Sequence, residues 1–460
     1  MDWKQISGAT YDWTVTGGPE HPYVYDYSQT MTMKMFLAAK RPEGGTDVRI
    51  DLEEALERIK AVDAITLGTP KIIYLVGWQY DGHDSKYPAW HECNPALKRP
   101  CDATARDSIL WLCEEAKKYH TTVSFHVNMM DAYKNSPLWE EYLAKDLLCT
   151  NCKGEPLLGG VWDGEQAYLM CYKKEWDSGY AVKRIQELCE LLPIREAGTI
   201  HIDAMMNPCL RGGCCKYNTG ENMGDPSLEA RHKIIRYFRS LGVDVTTEHC
   251  TVEPEVIEGK DYLVGMLPMT YHFSQRPEDY IRRPATLICG GNAHSRRRGP
   301  EAKRMKDVFG ENIIGENLFA QQDYKKQFFR EFCLTYLPFT FLNSKKRERL
   351  ERYGEDEFRA YFSDGVITDT DGPSIRQGEQ LLRHGNQIML PALWQTQDNL
   401  ILYSADEGEY TWQVGQYLGK TIKVRRLTEN GLDKEEQIIN LTGDCVTLHH
   451  QPDVAYFCTT

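Results

Sequence analysis

The sequence predicts an α/β protein, built as a (β/α)8 TIM-like barrel with a C-terminal β-sandwich domain. Short apolar runs alternate with helical patterns, which is typical of a parallel sheet. Polar and aromatic residues follow several of these runs, as they do where the loops of a barrel converge. No glycine-rich phosphate turn follows the first run, and a doubly wound nucleotide-binding sheet would be expected to carry one.

Composition divides the 460 residues into three regions. Residues 1–50 are rich in Tyr, Gly, Thr and Pro, and we expect an irregular or β arm there. Residues 51–361 carry the alternating pattern of the barrel. Residues 362–460 contain short alternating runs separated by turn residues, which predict the β-sandwich.

The predicted barrel elements follow one another along the chain. The apolar spacing in Asp51–Ala64 predicts a helix. The almost continuous apolar run Lys71–Trp78 predicts a strand that is buried on both faces. The later predicted elements are the helix Ala103–Tyr119, the strand Thr121–Asn128, the helix Trp176–Leu192, the strand Thr199–Asp203, a helix over 227–241, the strand Val243–Glu248, the strand Ala285–Gly291, and helices over Tyr324–Tyr336 and Ser344–Tyr361.

Charge and hydropathy exclude two classes of partner. The formal net charge is −13 and the acidic residues are spread along the chain, whereas a nucleic-acid surface would be basic. No run of 18 apolar residues is present, so no membrane span is expected. The first residues lack an apolar signal segment, which predicts a cytoplasmic location.

The 15 cysteines raise the question of a metal. Most lie in apolar stretches and are expected to be reduced and to pack as small hydrophobic residues. A structural zinc could take Cys149 and Cys152 from one segment and Cys209 and Cys214, or Cys215, from another. The second segment lacks the usual CxxC spacing, so loop-packing thiols are favoured, and we expect neither a metal nor a cofactor.

Two predicted strands end in a carboxylate. Thr199–Asp203 ends in Asp203, and Val243–Glu248 ends in Glu248. In a barrel both acids would lie at the end of the structure where catalytic groups gather. Glycoside hydrolysis requires two such carboxylates, one as nucleophile and one as proton donor. The alternative is two strand-end acids that only cap helices or form surface ion pairs.

Other side chains in the same loops suit a sugar site. Aromatic rings can lie against a sugar face, and Asp, Asn and His can hydrogen-bond its hydroxyls. Each of these residues alone would more simply be a core or loop residue, but together they favour a carbohydrate substrate. The candidate substrate-binding residues are Trp78, His83, Asp84, His126, Asn128, Trp162, Tyr271 and His272.

The segment Gly77-Trp-Gln-Tyr-Asp-Gly-His-Asp-Ser-Lys-Tyr-Pro88 resembles the Gly-Tyr-Gln-Ser-x-Gly-His-Asp-Ser-x-x-Pro motif of the endo-α-N-acetylgalactosaminidases, glycoside hydrolase family 101. Phe125-His-Val-Asn128 with Tyr133 is similar to a second motif of that family. The resemblance covers about residues 70–295 and extends to related exo-acting α-N-acetylgalactosaminidases. It implies that Asp203 is the nucleophile and Glu248 the acid/base.

The resemblance implies a retaining α-glycosidase that needs no cofactor. The substrate would be α-linked N-acetylgalactosamine or a galactose-type sugar of mucin-type O-glycans or derived glycopeptides. Two alternatives come from other classes of protein. One is a barrel that binds carbohydrate without catalysis. The other is a zinc-dependent hydrolase that uses the cysteine-rich loop and histidines.

Overall fold

The computed structural model describes residues 23–151, 153–205, 226–248, 264–265, 307–355 and 357–460. Within these ranges the chain forms an α/β unit followed by an antiparallel β region. The predicted strand Ala285–Gly291 lies outside the described residues.

The strands of the α/β unit are β1 (Met31–Phe36), β2 (Ala38–Lys40), β3 (Thr46–Val48), β4 (Lys71–Val76), β5 (Thr121–Asn128), β6 (Asp131–Ala132), β7 (Leu158–Trp162), β8 (Glu165–Leu169), β9 (Thr199–Asp203), β10 (Asp244–Thr247) and β11 (Val264–Gly265). Its helices are α1 (Leu52–Ile65), α2 (Ala105–Lys117), α3 (Trp139–Ala144), α4 (Tyr172–Asp177), α5 (Tyr180–Leu191), α6 (Ile194–Ala197) and α7 (Pro226–Ser240). Two further helices, α8 (Tyr324–Glu331) and α9 (Leu337–Asn343), flank a π-helical turn at Phe332–Tyr336.

The described core of the α/β unit is a six-stranded parallel sheet in the order β1-β4-β5-β9-β10-β11. All six residues of β4 are buried, as its continuous apolar run predicts. Because the strands are parallel, the loops that follow them meet at one edge of the sheet. The predicted α/β class with a parallel sheet is thus confirmed.

The first two helices begin with reciprocal caps. In α1 the Asp51 side chain accepts a hydrogen bond from the Glu54 amide, and the Glu54 side chain bonds back to the Asp51 amide. Thr104 and Asp107 form the same arrangement at the start of α2. Such boxes satisfy amide groups that the first helical turn leaves unpaired.

The sheet starts earlier than residue 51. β1 lies within the stretch that was expected to be an arm, yet it pairs in parallel with β4 from Met31 to Phe36. The sequence of β1 does not look like a buried strand because it contains Lys34. A lysine is seldom buried without a charged partner, and no such partner lies nearby in the sequence. The preceding residues are anchored by Asp244, whose carboxylate accepts hydrogen bonds from the Val24 and Tyr25 amides at 2.7 and 3.1 Å.

The antiparallel region begins at residue 347, ahead of the expected boundary at 362. The helix predicted over Ser344–Tyr361 is wrong, because β12 and β13 occupy most of this segment as an antiparallel pair. β12 is the charged edge strand of its sheet, and its Arg349 guanidinium lies 3.9 Å from the centroid of the Tyr361 ring on β13. Cross-strand packing of this kind outweighs the helical preference of the Arg and Glu residues.

The strands of this region are β12 (Arg347–Arg352), β13 (Phe358–Phe362), β14 (Val366–Asp369), β15 (Ser374–Gln377), β16 (Gln380–His384), β17 (Gln387–Leu390), β18 (Asn399–Ser404), β19 (Gly408–Gln413), β20 (Thr421–Thr428), β21 (Gly431–Leu432), β22 (Gln437–Asn440), β23 (Cys445–His450) and β24 (Val454–Thr459), with the short helix α10 (Gly415–Leu418). Eleven of them form one sheet, in the order β12 to β18, then β24, β20 and β21, with β22 also on β20. β19 and β23 form a separate pair. Trp394 joins this region to the α/β unit, since its indole donates to the Leu67 carbonyl and packs against Tyr336.

Across the ranges that the structure describes, no helix combines the length and the apolar character that crossing a membrane requires.

Candidate active site

Asp203 and Glu248 occupy equivalent positions at the ends of neighbouring strands. β9 and β10 pair in parallel, with Thr199 opposite Asp244 and His201 opposite Thr246. Continuing this register by two residues places Asp203 opposite Glu248, so both acids lie at the same edge of the sheet. Neighbouring strands are about 4.8 Å apart, which brings the two side chains within the range of one substrate.

A pair of stacked imidazoles lies next to Asp203. His126 on β5 is in register with His201 on β9, and their ring centroids are 5.2 Å apart. The His126 Nε2 atom lies 3.7 Å from Asp203 Oδ1. Burial, reinforced by the positive charge of Lys34, lowers the pKa of His126 well below its usual value. His126 is therefore neutral at pH 7, and a neutral imidazole can either accept or donate a hydrogen bond.

The loop after β4 brings His83 and Asp84 to the same edge. The His83 amide donates to the Ala38 carbonyl at 2.9 Å, and its Nδ1 lies 3.5 Å from Asp84 Oδ2. The His83 ring lies 5.4 Å from that of His126, which places it directly beside the imidazole pair. Asp84 is buried, and burial raises the pKa of its carboxyl group.

Two candidate residues are buried and use their polar groups within the protein. Trp78 is fully buried, and its indole donates to the His126 carbonyl at 2.8 Å. The Asn128 amide is occupied by its own turn, because it accepts from the Met130 and Asp131 amides and donates to the Asp131 carboxylate at 2.9 Å. Their hydrogen bonds hold the strand ends in place, and a sugar contact of either residue stays a prediction.

The hairpin of β7 and β8 carries Trp162, which is 45% exposed. The indole lies over Gly160, where a Cβ atom would come within 2.5 Å of the ring. Lys40 ties the hairpin to the site, since its ammonium contacts Glu165 at 2.9 Å and donates to the Asp84 carbonyl at 2.6 Å. Trp162 is thus a partly exposed aromatic side chain on a hairpin that Lys40 links to Asp84. The other two candidates, Tyr271 and His272, lie outside the described residues.

Sequence reasoning missed Lys34 and Glu316. Lys34 lies on β1, and its buried ammonium is 3.7 Å from both Glu248 Oε1 and Glu316 Oε1. One signal was visible in the sequence, because Lys34 is the only charged residue of the strand Met31–Phe36. Glu316 carried no comparable signal, since it lies in an irregular segment far along the chain.

Several buried polar atoms in this region have no hydrogen-bond partner among the described residues. Such atoms are rare in native proteins unless water or a ligand satisfies them. They combine acceptors and donors, as the hydroxyls of a sugar would require. They are Asp84 Oδ1, His126 Nδ1, Asp131 Oδ1, Tyr133 Oη and Asp203 Oδ1.

One group of side chains has donor types that suit a metal. The ligand atoms of His83, His126 and Asp203 lie within 4.8 Å of one another. A tetrahedral zinc with bonds near 2.0–2.1 Å holds its ligands about 3.4 Å apart. The positive charge of Lys34 interacts electrostatically with both His126 and Asp203. It therefore disfavours a second cation between these side chains.

The cysteine set is only partly described. Cys149 is buried, and its thiol donates to the Met170 carbonyl at 3.4 Å. The other members, Cys152, Cys209, Cys214 and Cys215, lie outside the described residues.

Part of this sequence matches the model of a known protein family. A sequence model of the endo-α-N-acetylgalactosaminidase family matches residues 46–251. No curated protein matches the sequence.

Among solved structures, the chain is similar to the α-N-acetylgalactosaminidase NagBb from Bifidobacterium bifidum. The GalNAc complex gives a TM-score of 0.55 at 11% identity over 76% of this chain and 57% of that one. The ligand-free form gives 0.54 at 12% identity over 82% and 60%. The chain thus spans less than two thirds of the length of these structures, and the likeness concerns the fold. Over residues 46–251 the resemblance to the endo-α-N-acetylgalactosaminidase family is confirmed, and it supports a glycoside hydrolase.

Proposed function

We propose that this chain is a retaining α-glycoside hydrolase that acts on α-linked N-acetylgalactosamine or galactose-type sugars. The observation that carries the proposal is the equivalent position of Asp203 and Glu248 on neighbouring parallel strands. Retaining enzymes hold their two carboxyl groups about 5–5.5 Å apart, which is close to the spacing of neighbouring strands.

The reaction proceeds by two displacements. An Asp203 carboxylate oxygen attacks the anomeric carbon while the bond to the leaving oxygen breaks, and Glu248 gives its proton to that oxygen. The sugar is then held as an ester of Asp203. A water molecule attacks the same carbon, Glu248 takes its proton, and the ester bond breaks to restore the Asp203 carboxylate.

The substrate class rests on the matched family and on the printed ligand of one similar structure. The family model is named for endo-α-N-acetylgalactosaminidases, and NagBb was solved with GalNAc. In this chain the Asp84 carboxylate, the neutral His126 and the exposed face of Trp162 supply the polar and aromatic contacts for such a sugar. Mucin-type O-glycans or glycopeptides derived from them are the proposed source of the substrate.

We also propose that the parallel sheet closes into a (β/α)8 barrel. The segment that contains Ile314 lies along the free side of β1, since the Lys34 amide donates to the Ile314 carbonyl at 2.7 Å. The Asn312 side chain donates to the Thr30 carbonyl at 3.0 Å on the same side. A last strand at this position would complete the ring. The C-terminal antiparallel region would then form the β-sandwich.

The test is turnover of nitrophenyl α-glycosides, α-GalNAc included, by the parent chain and two variants. Asp203→Ala should abolish turnover of every substrate, because no covalent intermediate can form. Glu248→Gln should slow natural Ser/Thr glycosides by about 100-fold or more, but affect formation of the glycosyl-enzyme from an activated nitrophenyl substrate less. Azide should then rescue the activated substrate, since an anionic nucleophile needs no general base.

Matched controls are Asp47→Ala and Glu57→Gln, whose side chains are largely exposed. Both should leave turnover unchanged. A parent chain that binds GalNAc but turns over none of the glycosides would instead be a carbohydrate-binding protein. Glu248 would lose the acid/base role if Glu248→Gln slowed both substrate types equally and azide had no effect.

A further inference from the structure

The ammonium of Lys34 lies at the centre of the acidic residues of the site. It extends from β1, is 1% exposed, and is 3.7 Å from both Glu248 and Glu316. Asp203 also acts on it electrostatically. A buried ammonium is costly unless it is paired, so its position beside these acids has to be explained by their charge.

The lysine is charged despite its burial. Desolvation lowers the pKa of Lys34, but the combined effect of Glu316, Glu248 and Asp203 outweighs it, and the net pKa lies above its usual value. The site therefore contains a positive charge on β1, the first strand of the parallel sheet. The same charge lowers the pKa of His126, which keeps that neighbouring ring neutral.

The negative charge of a retaining site moves during the reaction. In the free enzyme Asp203 is the ionised member of the catalytic pair, and Glu248 holds the proton. In the glycosyl-enzyme the Asp203 charge is consumed by the new ester bond, and Glu248 is ionised because its proton has left with the aglycone. A counter-charge that faces both acids would stabilise both states without moving.

Resting on the proposed function, we propose that Lys34 is a positioning residue that orients Glu248 and stabilises its ionised form in the glycosyl-enzyme. Glu316 is the second anion of the arrangement. Its carboxylate lies 3.7 Å from the Lys34 ammonium and competes with Glu248 for that positive charge. Lys34 does not touch the reacting atoms in this scheme and acts through Glu248.

The test is the pH dependence of kcat/KM for an α-GalNAc serine or threonine glycoside, because its leaving oxygen needs the proton of Glu248. The alkaline limb of this profile reports the proton on the acid/base of the free enzyme. Charged and titratable groups that act around Glu248 are Lys34 on β1, Asp203 on β9, His126 on β5 and Glu316. Lys34→Met removes the positive charge, so Glu248 should keep its proton to higher pH, and the alkaline limb should move up by about 1 pH unit or more. Lys34→Arg restores the charge and should return the limb towards its original position.

Glu316→Gln gives the opposite sign and guards against misfolding of the Lys34 variants. It removes a negative charge that competes for Lys34, so the alkaline limb should move to lower pH. Opposite shifts in the two variants would support the proposal, because a merely structural role for Lys34 would lower stability without moving the limb in a charge-dependent direction. If the parent is active but the alkaline limb of the kcat/KM profile does not move in either Lys34→Met or Glu316→Gln, the role of Lys34 is overturned and the proposed function is not. A parent without turnover would overturn the proposed function and this inference together.

Discussion

Asp131 is a buried carboxyl group beside the site, and burial raises its pKa to about 8. Its Oδ2 accepts a hydrogen bond from the Asn128 amide at 2.9 Å, while its Oδ1 has no partner among the described residues. The nearby Asp84 and Asp203 charges add to the effect of burial. At neutral pH the group is therefore largely protonated, and it adds no further negative charge to the pocket.

This shift has a defined sign for stability. An acid whose pKa is raised by folding contributes stability that is complete below its unfolded pKa, 3.8, and is lost as the pH rises through about 8. Asp131→Asn keeps an acceptor for Asn128 but cannot ionise. We expect the variant to gain stability relative to the parent between pH 7 and 9 and to differ little at pH 4, as measured by urea unfolding at each pH.

Asp102 provides a contrasting control. Its hydrogen bonds from Arg99 and Ser108 lower its pKa to about 2, so its stabilising effect is present at neutral pH and fades as the pH falls towards 2. Asp102→Asn should lose stability at pH 7. Equal responses of the two variants across the pH range would contradict the assignment for Asp131.

At the scale of elements, the loop after β4 depends on close backbone contact with the segment after β1. Gly77 has a φ of +81°, and a Cβ atom there would lie 1.9 Å from the Ala38 carbonyl oxygen. That oxygen also accepts the hydrogen bond that fixes His83. The glycine therefore makes possible both the turn and the placement of His83.

Gly77→Ala should destabilise the protein by about 3 kcal/mol, since backbone strain adds to a clash with main-chain atoms. It should also reduce turnover, because His83 would be displaced. Gly154→Ala is the matched control, with the same φ of +81° and no atom within 4 Å of the added Cβ. It should cost about 1 kcal/mol and leave turnover intact. Similar free energies of unfolding for the two variants, measured by urea titration, would refute the role of the Ala38 contact.

Sequence pattern predicted elements whose signal is local. The strand at Lys71 has an almost continuous apolar run, and those at Thr121 and Thr199 are rich in β-branched residues. The shared position of Asp203 and Glu248 follows from parallel pairing. Lys34 and Glu316 could not be predicted as a pair, because they lie 282 residues apart and only the fold unites them. Likewise, Trp78 and Asn128 have side chains suited to sugar binding. Whether such a side chain lines a site or packs in the core depends on its hydrogen-bond partners in the folded chain, which the sequence does not show.

At the scale of the whole molecule, the C-terminal region is joined to the α/β unit by specific contacts. Trp394 and Gln395 both donate to the Leu67 carbonyl at the end of α1, at 3.3 and 2.5 Å. Gly431 lies against Ala64 of the same helix, where a Cβ atom would come within 3.0 Å. The sequence indicated this region by its alternating runs. Its first strand, β12, lacked such a pattern because it is rich in charged residues that also favour helices.

The buried ammonium of Lys34 also constrains the order in which the chain can fold. β1 is synthesised before the acids that offset the charge of Lys34, because Glu248 and Glu316 follow Lys34 by more than 200 residues. Before those segments arrive, burying β1 would leave the ammonium without a partner, at a free-energy cost that opposes docking. We expect β1 to complete the sheet late in folding, although it precedes the other described strands of that sheet in sequence. Pulse-labelled hydrogen exchange during refolding tests this, and amides of Met31–Phe36 should gain protection no earlier than those of Asp244–Thr247. Protection of β1 before β10 would show that the strand docks without its anions.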